Sequence, residues 1–163
     1  TVRRGIAADA GGRTSLPDVF AAGDCAESFD AVGGENKVLA LLPNANMQGR
    51  IAGINMAGGK AELTNAVAFN SVGFFGTSVM TAGMYAGEAD TERTERTYKA
   101  LFCKDGYLNG FILVGLPERA GSYLKLLRER IPLAEVDFAA LKTSPAWSAF
   151  SPAVRKQNFA AEV

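Results

Sequence analysis

The chain contains no histidine. That absence removes Ser-His-Asp and Cys-His nucleophile systems, and most zinc sites, from consideration. Cysteine is scarce as well: only Cys25 and Cys103 occur, far apart and without C-x-x-C spacing. A disulfide framework is therefore not expected, and a buried thiol is the ordinary reading of each. Neither charge sign dominates, with 17 lysines and arginines against 17 acids, so neither nucleic acid nor an anionic membrane is expected as a partner. Long apolar runs are missing too. The densest, Phe111 to Leu116, falls far short of the roughly 20 residues needed to span a bilayer. A cytoplasmic protein without membrane or metal is the resulting expectation.

At 163 residues the chain is expected to form one domain, or one domain with part of another. Its 18 glycines imply several tight turns or close backbone approaches. Thr1-Val2-Arg3-Arg4-Gly5-Ile6 reads as a chain entered midway. Val2 to Ala8 is a weak strand candidate, and Asp9 to Arg13 a turn. Thr14-Ser15-Leu16-Pro17-Asp18-Val19-Phe20-Ala21-Ala22-Gly23-Asp24 is the most informative stretch. Val19 to Ala22 is a short apolar run between turn residues and predicts a buried strand. Asp24 stands at its carboxyl end, where open α/β sheets bind ligands and a carboxylate can accept hydrogen bonds from hydroxyls. Residues 25–36 read as a loop.

Residues 43–57 predict a helix, opened by Pro43 and stopped by Gly58-Gly59. Its free N-terminal amides and dipole would favour an electron-rich ligand edge. Met47, Ile51 and Ile54 mark a narrow inward face, and Gly49 and Gly53 suggest close packing on another backbone. Lys60 to Asn65 reads as a linker. Beyond it come two short strands within 66–86, then a charged exposed turn or strand edge over 87–96. A hairpin is clearest: Tyr98 to Cys103 and Tyr107 to Val114 flank Lys104-Asp105-Gly106. Glu118 to Arg130 follows with Ala120, Tyr123, Leu124, Leu127 and Ile131 at helical spacing. One or two helical turns are expected over Glu135 to Leu141. Residues 142–163 read as an irregular tail, with Trp147 or Phe150 docked on a surface.

Two strings, T-S-L-P-D-V-F-A-A-G-D-C-A and, further on, L-L-P-N-A-N-M-Q-G-R-I-A-G-I-N-M-A-G-G, occur in the order and separation of a known pair. Together they resemble the second flavin motif and following helix of the FAD-dependent pyridine nucleotide-disulfide oxidoreductases. Y-K-A-L-F-C-K-D-G-Y-L-N-G-F-I-L-V-G resembles the carboxyl-terminal interface domain of the branch with NADH oxidases, rubredoxin reductases and nitrite-reductase-like proteins. The resemblance implies a mixed α/β and α+β chain. Residues 1–60 would be a strand–helix remnant of the FAD domain, and 66–141 an antiparallel-sheet-plus-helix interface, or dimerisation, domain. It implies that Asp24 accepts hydrogen bonds from FAD hydroxyls, with Gly23 letting the backbone approach. Backbone at Leu41, Leu42, Pro43 and Asn44 would meet the pyrimidine edge of the isoalloxazine. Pro43 departs from the Thr or Ser of many relatives and removes one amide donor. Cys25 matches a small residue of the family, not its redox cysteine.

No G-x-G-x-x-G fingerprint and no redox-cysteine motif occur in the sequence. The expectation is therefore a carboxyl-terminal portion of an FAD- and NAD(P)H-dependent oxidoreductase, inactive alone and without catalytic residues of its own. Its partners would be the amino-terminal FAD and NAD domains and, as a homo-oligomer, further copies. The alternative is a self-sufficient dimerisation or partner-binding module without redox activity. An independent small-ligand enzyme has little support, since the charged run Asp90 to Arg96 is the pattern of a solvated face.

Overall fold

Asp105 and Gly106 both take positive φ, 52° and 79°, as a type I′ turn requires. In the computed structural model, which describes residues 1–117, 120–144 and 146–160 (157–160 by backbone alone), this turn joins the two central strands of the larger sheet. The chain divides into two compact units, Thr1–Asn70 and Ser71–Val163.

The first unit holds a two-stranded antiparallel hairpin, β1 (Glu27–Asp30) and β2 (Glu35–Val38), and the helix α1 (Leu42–Met56). The hairpin replaces the loop expected over 25–36. Its pattern was hidden because its inward residues, Glu27, Ser28 and Asp30, are polar. Asp30 is buried against Lys37 at 2.5 Å and accepts the Val32 N–H at 3.1 Å, so local charge pairing stands in for apolar alternation. A small apolar cluster of Leu39, Leu63 and Ala66, with Met47, Ile51 and Ala68 against it, forms the core of this unit.

Val19 to Ala22 differs from expectation. Phe20 makes a single bridge to Arg13, Val19 is 45% exposed, and no regular strand forms there. A strand needs backbone partners along its length, and the described residues supply one bridge. Val2 to Ala8 likewise forms only bridges, Val2 with Ile6 and Ile6 with Ala26. Asp9 does make the expected turn, its Oδ1 accepting the Gly11 and Arg13 N–H groups.

The second unit carries an antiparallel sheet of five strands in the order β3–β4–β7–β6–β5. These are β3 (Phe69–Phe74, starting in the last residues of the first unit), β4 (Thr77–Gly83), β5 (Glu88–Arg93), β6 (Tyr98–Lys104) and β7 (Tyr107–Val114). The charged segment expected at an edge is the edge strand β5. The helix α2 (Ala120–Arg128) packs on β7 and β4. It buries Ala120, Tyr123, Leu126 and Leu127, with Leu126 taking the inward place that the sequence spacing gave to Leu124. Glu118 and Arg119, which the expected helix included, lie outside the described residues. Leu101, Phe111, Leu113, Tyr123, Leu127 and Phe150 are fully buried in this unit. Each such side chain contributes about 1.5–3 kcal/mol of transfer free energy.

Lys99 is also fully buried; its Nζ pairs with Glu92 at 2.7 Å and donates to the Lys142 carbonyl at 2.5 Å. That carbonyl belongs to the last turn of α3 (Phe138–Thr143), where a cation is favoured by the helix dipole. Residues 142–160 are more regular than an irregular tail: a 3₁₀ turn, Trp147–Ala149, is followed by α4 (Pro152–Ala160). Phe150 docks as expected, beside Trp147 at 4.9 Å between ring centres. Pro145 lies outside the described residues. Among those residues no helix is long and apolar enough to cross a membrane, and no group of acidic or cysteine side chains could hold a metal.

Candidate functional site

The turn Gly23-Asp24 sits against the first turns of α1. Gly23 takes φ +85°, and a Cβ placed there would lie 3.7 Å from the Ala45 Cβ. Its N–H donates to Gln48 Oε1 at 2.8 Å. Asp24, the next residue, is exposed, and its carboxylate has no hydrogen bond or ion pair among the described residues. The acid is thus held in place by backbone while its oxygens stay free to accept.

The N-terminus of α1 is equally uncommitted. Leu41, in extended conformation before the helix, offers no side-chain cap, and no acid stands in the first turn. Ala45 N–H is satisfied by the Leu41 carbonyl at 3.0 Å, whereas the Leu42 and Asn44 N–H groups have no backbone partner among the described residues. Helix ends normally satisfy these donors with a cap, water or a ligand. Leu42, at 84% exposure, and Pro43 are turned outward, and Leu41 is half-buried. Asn44 differs: its side chain is buried and donates to the Val67 carbonyl at 3.0 Å, so only its backbone faces this end.

The buried face of α1 is Asn44, Gln48, Ala52 and Asn55. Met47 and Ile51 touch the apolar cluster from its margin, and Ile54 is exposed. Gly49 and Gly53 have open space around them, and none of the described residues makes the expected backbone approach. The inward amides instead fasten loops. Asn55 donates to the carbonyls of Gly11 and Ala61 and accepts the Ala61 N–H, all at 2.8 Å. Asn44 is expected at the site through its backbone, but Gln48, Ala52 and Asn55 do not stand on the apolar stripe of Met47, Ile51 and Ile54. Their spacing of four, four and three was the available signal, since it places all four positions on one face.

Gln48 is incompletely satisfied. Its Oε1 serves Gly23, but its buried Nε2 has no partner among the described residues. An unsatisfied buried donor costs about 1–3 kcal/mol. Turning the amide over would set a donor against the Gly23 N–H, so the observed orientation is the one the backbone dictates. Gln48 also lines a cavity of about 270 Å³, with Asp9, Gly12, Ala21, Glu27 and Ile51 among its walls. Glu27 accepts from Arg3 Nε at 2.9 Å, and that guanidinium holds its carboxyl below the usual value against the opposing effect of burial.

Free acceptors at Asp24 and free donors at a helix N-terminus, joined through the Gly23–Gln48 hydrogen bond, fit a ligand carrying both hydroxyls and an electron-rich ring edge, as FAD does. Cys25 beside them is exposed, not the packed thiol expected; its Sγ lies 3.5 Å from the Ala22 carbonyl.

No protein-family model matches the chain. Among curated proteins it is 34% identical over 139 residues to the NADH-dependent phenylglyoxylate dehydrogenase subunit epsilon of Aromatoleum evansii, covering 80% of this chain and 33% of that one. An NADH oxidase of Streptococcus pneumoniae is 31% identical over 71 residues, 44% of this chain and 16% of the oxidase. Among solved structures, a FAD-dependent pyridine nucleotide-disulphide oxidoreductase from Desulfovibrio vulgaris superposes with a TM-score of 0.73 at 26% identity, over 86% of this chain and 39% of that one. The NAD-dependent persulfide reductase of A. fulgidus shares the fold, with a TM-score of 0.73 at 20% identity over 99% of this chain and 35% of the reductase. These relatives place the chain, over the parts they match, with the pyridine nucleotide-disulfide oxidoreductases. Its five-stranded sheet and helices match the carboxyl-terminal domain of FAD-dependent members. The chain spans a third or less of the length of these two curated relatives.

Proposed function

We propose that this chain supplies one wall of the FAD site and the interface domain of an FAD- and NAD(P)H-dependent oxidoreductase. The observation that carries this reading is the Gly23-Asp24 turn, hydrogen-bonded through Gln48 to a helix whose N-terminus is uncapped. Asp24 accepts hydrogen bonds from the ribitol side of the cofactor. The free amides of Leu42 and Asn44, with the dipole of α1, favour negative charge at the pyrimidine edge, and Leu41 and Pro43 line the approach. FAD, when bound, supplies the two-electron chemistry; the residues of this chain bind and orient it. Residues 1–60 act as the FAD-domain piece and 66–141 as the interface domain, in the cytoplasm. Without a G-x-G-x-x-G unit, residues 1–163 depend on other sequence for the adenosine half of FAD and for NAD(P)H, and are inactive alone.

Asp24→Ala tests the site. In the complete flavoprotein the substitution is expected to weaken FAD binding roughly tenfold to a hundredfold, the worth of hydrogen bonds to a charged acceptor. Unchanged FAD content would remove Asp24 from the site.

A second reading, a self-associating module without redox activity, draws on Phe74 and Phe75, 65% and 93% exposed at the β3–β4 turn. Sedimentation of residues 1–163 distinguishes it: a monomer at high concentration that binds no partner counts against this alternative.

A further inference from the structure

We infer that Gln48 is the positioning residue of the proposed flavin site, an inference that rests on the FAD reading above. Gln48 touches the site through Gly23 alone: its Oε1 receives the Gly23 N–H at 2.8 Å, and Asp24 follows directly in sequence. Gly23 is in the left-handed region at φ +85°, so the turn's shape is set by backbone and by what holds its amide. No other hydrogen bond to the Gly23 N–H is present among the described residues.

Gln48 does more than fill space. The residue is buried, with its Nε2 unpartnered. A methionine of similar length would fill the same space without a stranded donor. Glutamine carries a donor that no described residue uses, while its acceptor fixes where the acid stands. That combination is the mark of a residue retained for a site, not for a core. Asn55, on the same helix face, has its amide fully engaged by Gly11 and Ala61, so an unpaired amide is not a general feature of this packing.

The test compares wild type, Gln48→Met and Gln48→Glu in the complete flavoprotein, reading FAD affinity, the bound-flavin absorption spectrum, Gly23 amide exchange and thermal midpoint. Gln48→Met is expected to keep the midpoint, speed Gly23 exchange at least tenfold and weaken FAD about tenfold, with a shifted spectrum. Gln48→Glu retains an acceptor oxygen at the same reach and is expected to restore Gly23 protection and FAD affinity. Wild type and Gln48→Met binding FAD equally would overturn this inference while leaving the FAD reading intact. So would unchanged Gly23 exchange in Gln48→Met, or failure of Gln48→Glu to rescue. Wild type binding no FAD would overturn the FAD reading and this inference with it.

Discussion

Asn55 and Ala61 exchange a reciprocal pair of hydrogen bonds, Nδ2 to the Ala61 carbonyl and the Ala61 N–H to Oδ1, both at 2.8 Å. The same Nδ2 reaches the Gly11 carbonyl, 44 residues away in sequence. One side chain at the end of α1 thus ties two loops together. Asn55→Ala removes three bonds and strands their partners, and is expected to destabilise the first unit by about 2–4 kcal/mol. Urea unfolding should show the lower midpoint; a change under about 0.5 kcal/mol would mean the loops hold without it.

Glu27 carries the acid sensitivity of the same unit. The Arg3 guanidinium, with help from the Gly5 and Arg4 backbone, lowers its pKa from the usual 4.5. A carboxyl lowered on folding contributes stability that is present above its unfolded value and lost as pH falls through its folded one. Stability should therefore decline below about pH 4.5. Glu27→Gln should flatten that part of the profile, measured as unfolding midpoint against pH. An identical slope in both proteins would assign the acid response elsewhere.

The two thiols should separate in reactivity. Cys25 is exposed, whereas Cys103 is half-buried and its pKa is raised first by burial and then by the Asp90 carboxylate. Fewer thiolates at a given pH mean slower alkylation. Iodoacetamide at pH 8 is expected to label Cys25 several-fold before Cys103, as followed by peptide mass spectrometry. The reverse order would contradict the burial of Cys103.

Phe75 holds φ at +45°, a region costly for a bulky side chain, while 93% exposed. Asn tolerates that conformation. Phe75→Asn should raise the stability of the second unit by about 1 kcal/mol and reduce self-association. Thermal melts and sedimentation check both, and a fall in the melting midpoint would show that the edge-to-face contact with Phe74, at 4.4 Å, outweighs the strain.

Local chemistry made much of this fold legible. Asp105-Gly106 announced its turn, Pro43 and Gly58-Gly59 bounded a helix that runs Leu42–Met56, and the apolar spacing of α2 survived with one exchange of leucines. What escaped shares a physical cause. Sequence periodicity detects burial of apolar groups, and the first unit buries Glu27, Asp30, Asn44, Gln48 and Asn55. Their partners are backbone groups or charges, some near in the chain, as Lys37 is to Asp30 and Ala61 to Asn55, and others far from it, and apolar periodicity registers neither kind. The strand expected at Val19 failed for a related reason: a strand is defined by its neighbours, and among the described residues only Arg13 bridges to it, at Phe20. The candidate site was half visible. Gly23, Asp24 and the start of α1 stood in the motif, but the contact joining them runs through Gln48.

The polar interior of α1 also sets terms for anyone redesigning this protein. A scheme that paints hydrophobic residues inward and charges outward would rewrite positions 44, 48 and 55 as leucine, severing every loop tether the helix provides. The same scheme would be harmless at Ile54 and Met56, which are exposed and lie away from the Gly23-Asp24 turn and the N-terminus of the helix. Solubility can therefore be improved on the outer face of this helix, while its inner face must be left as written.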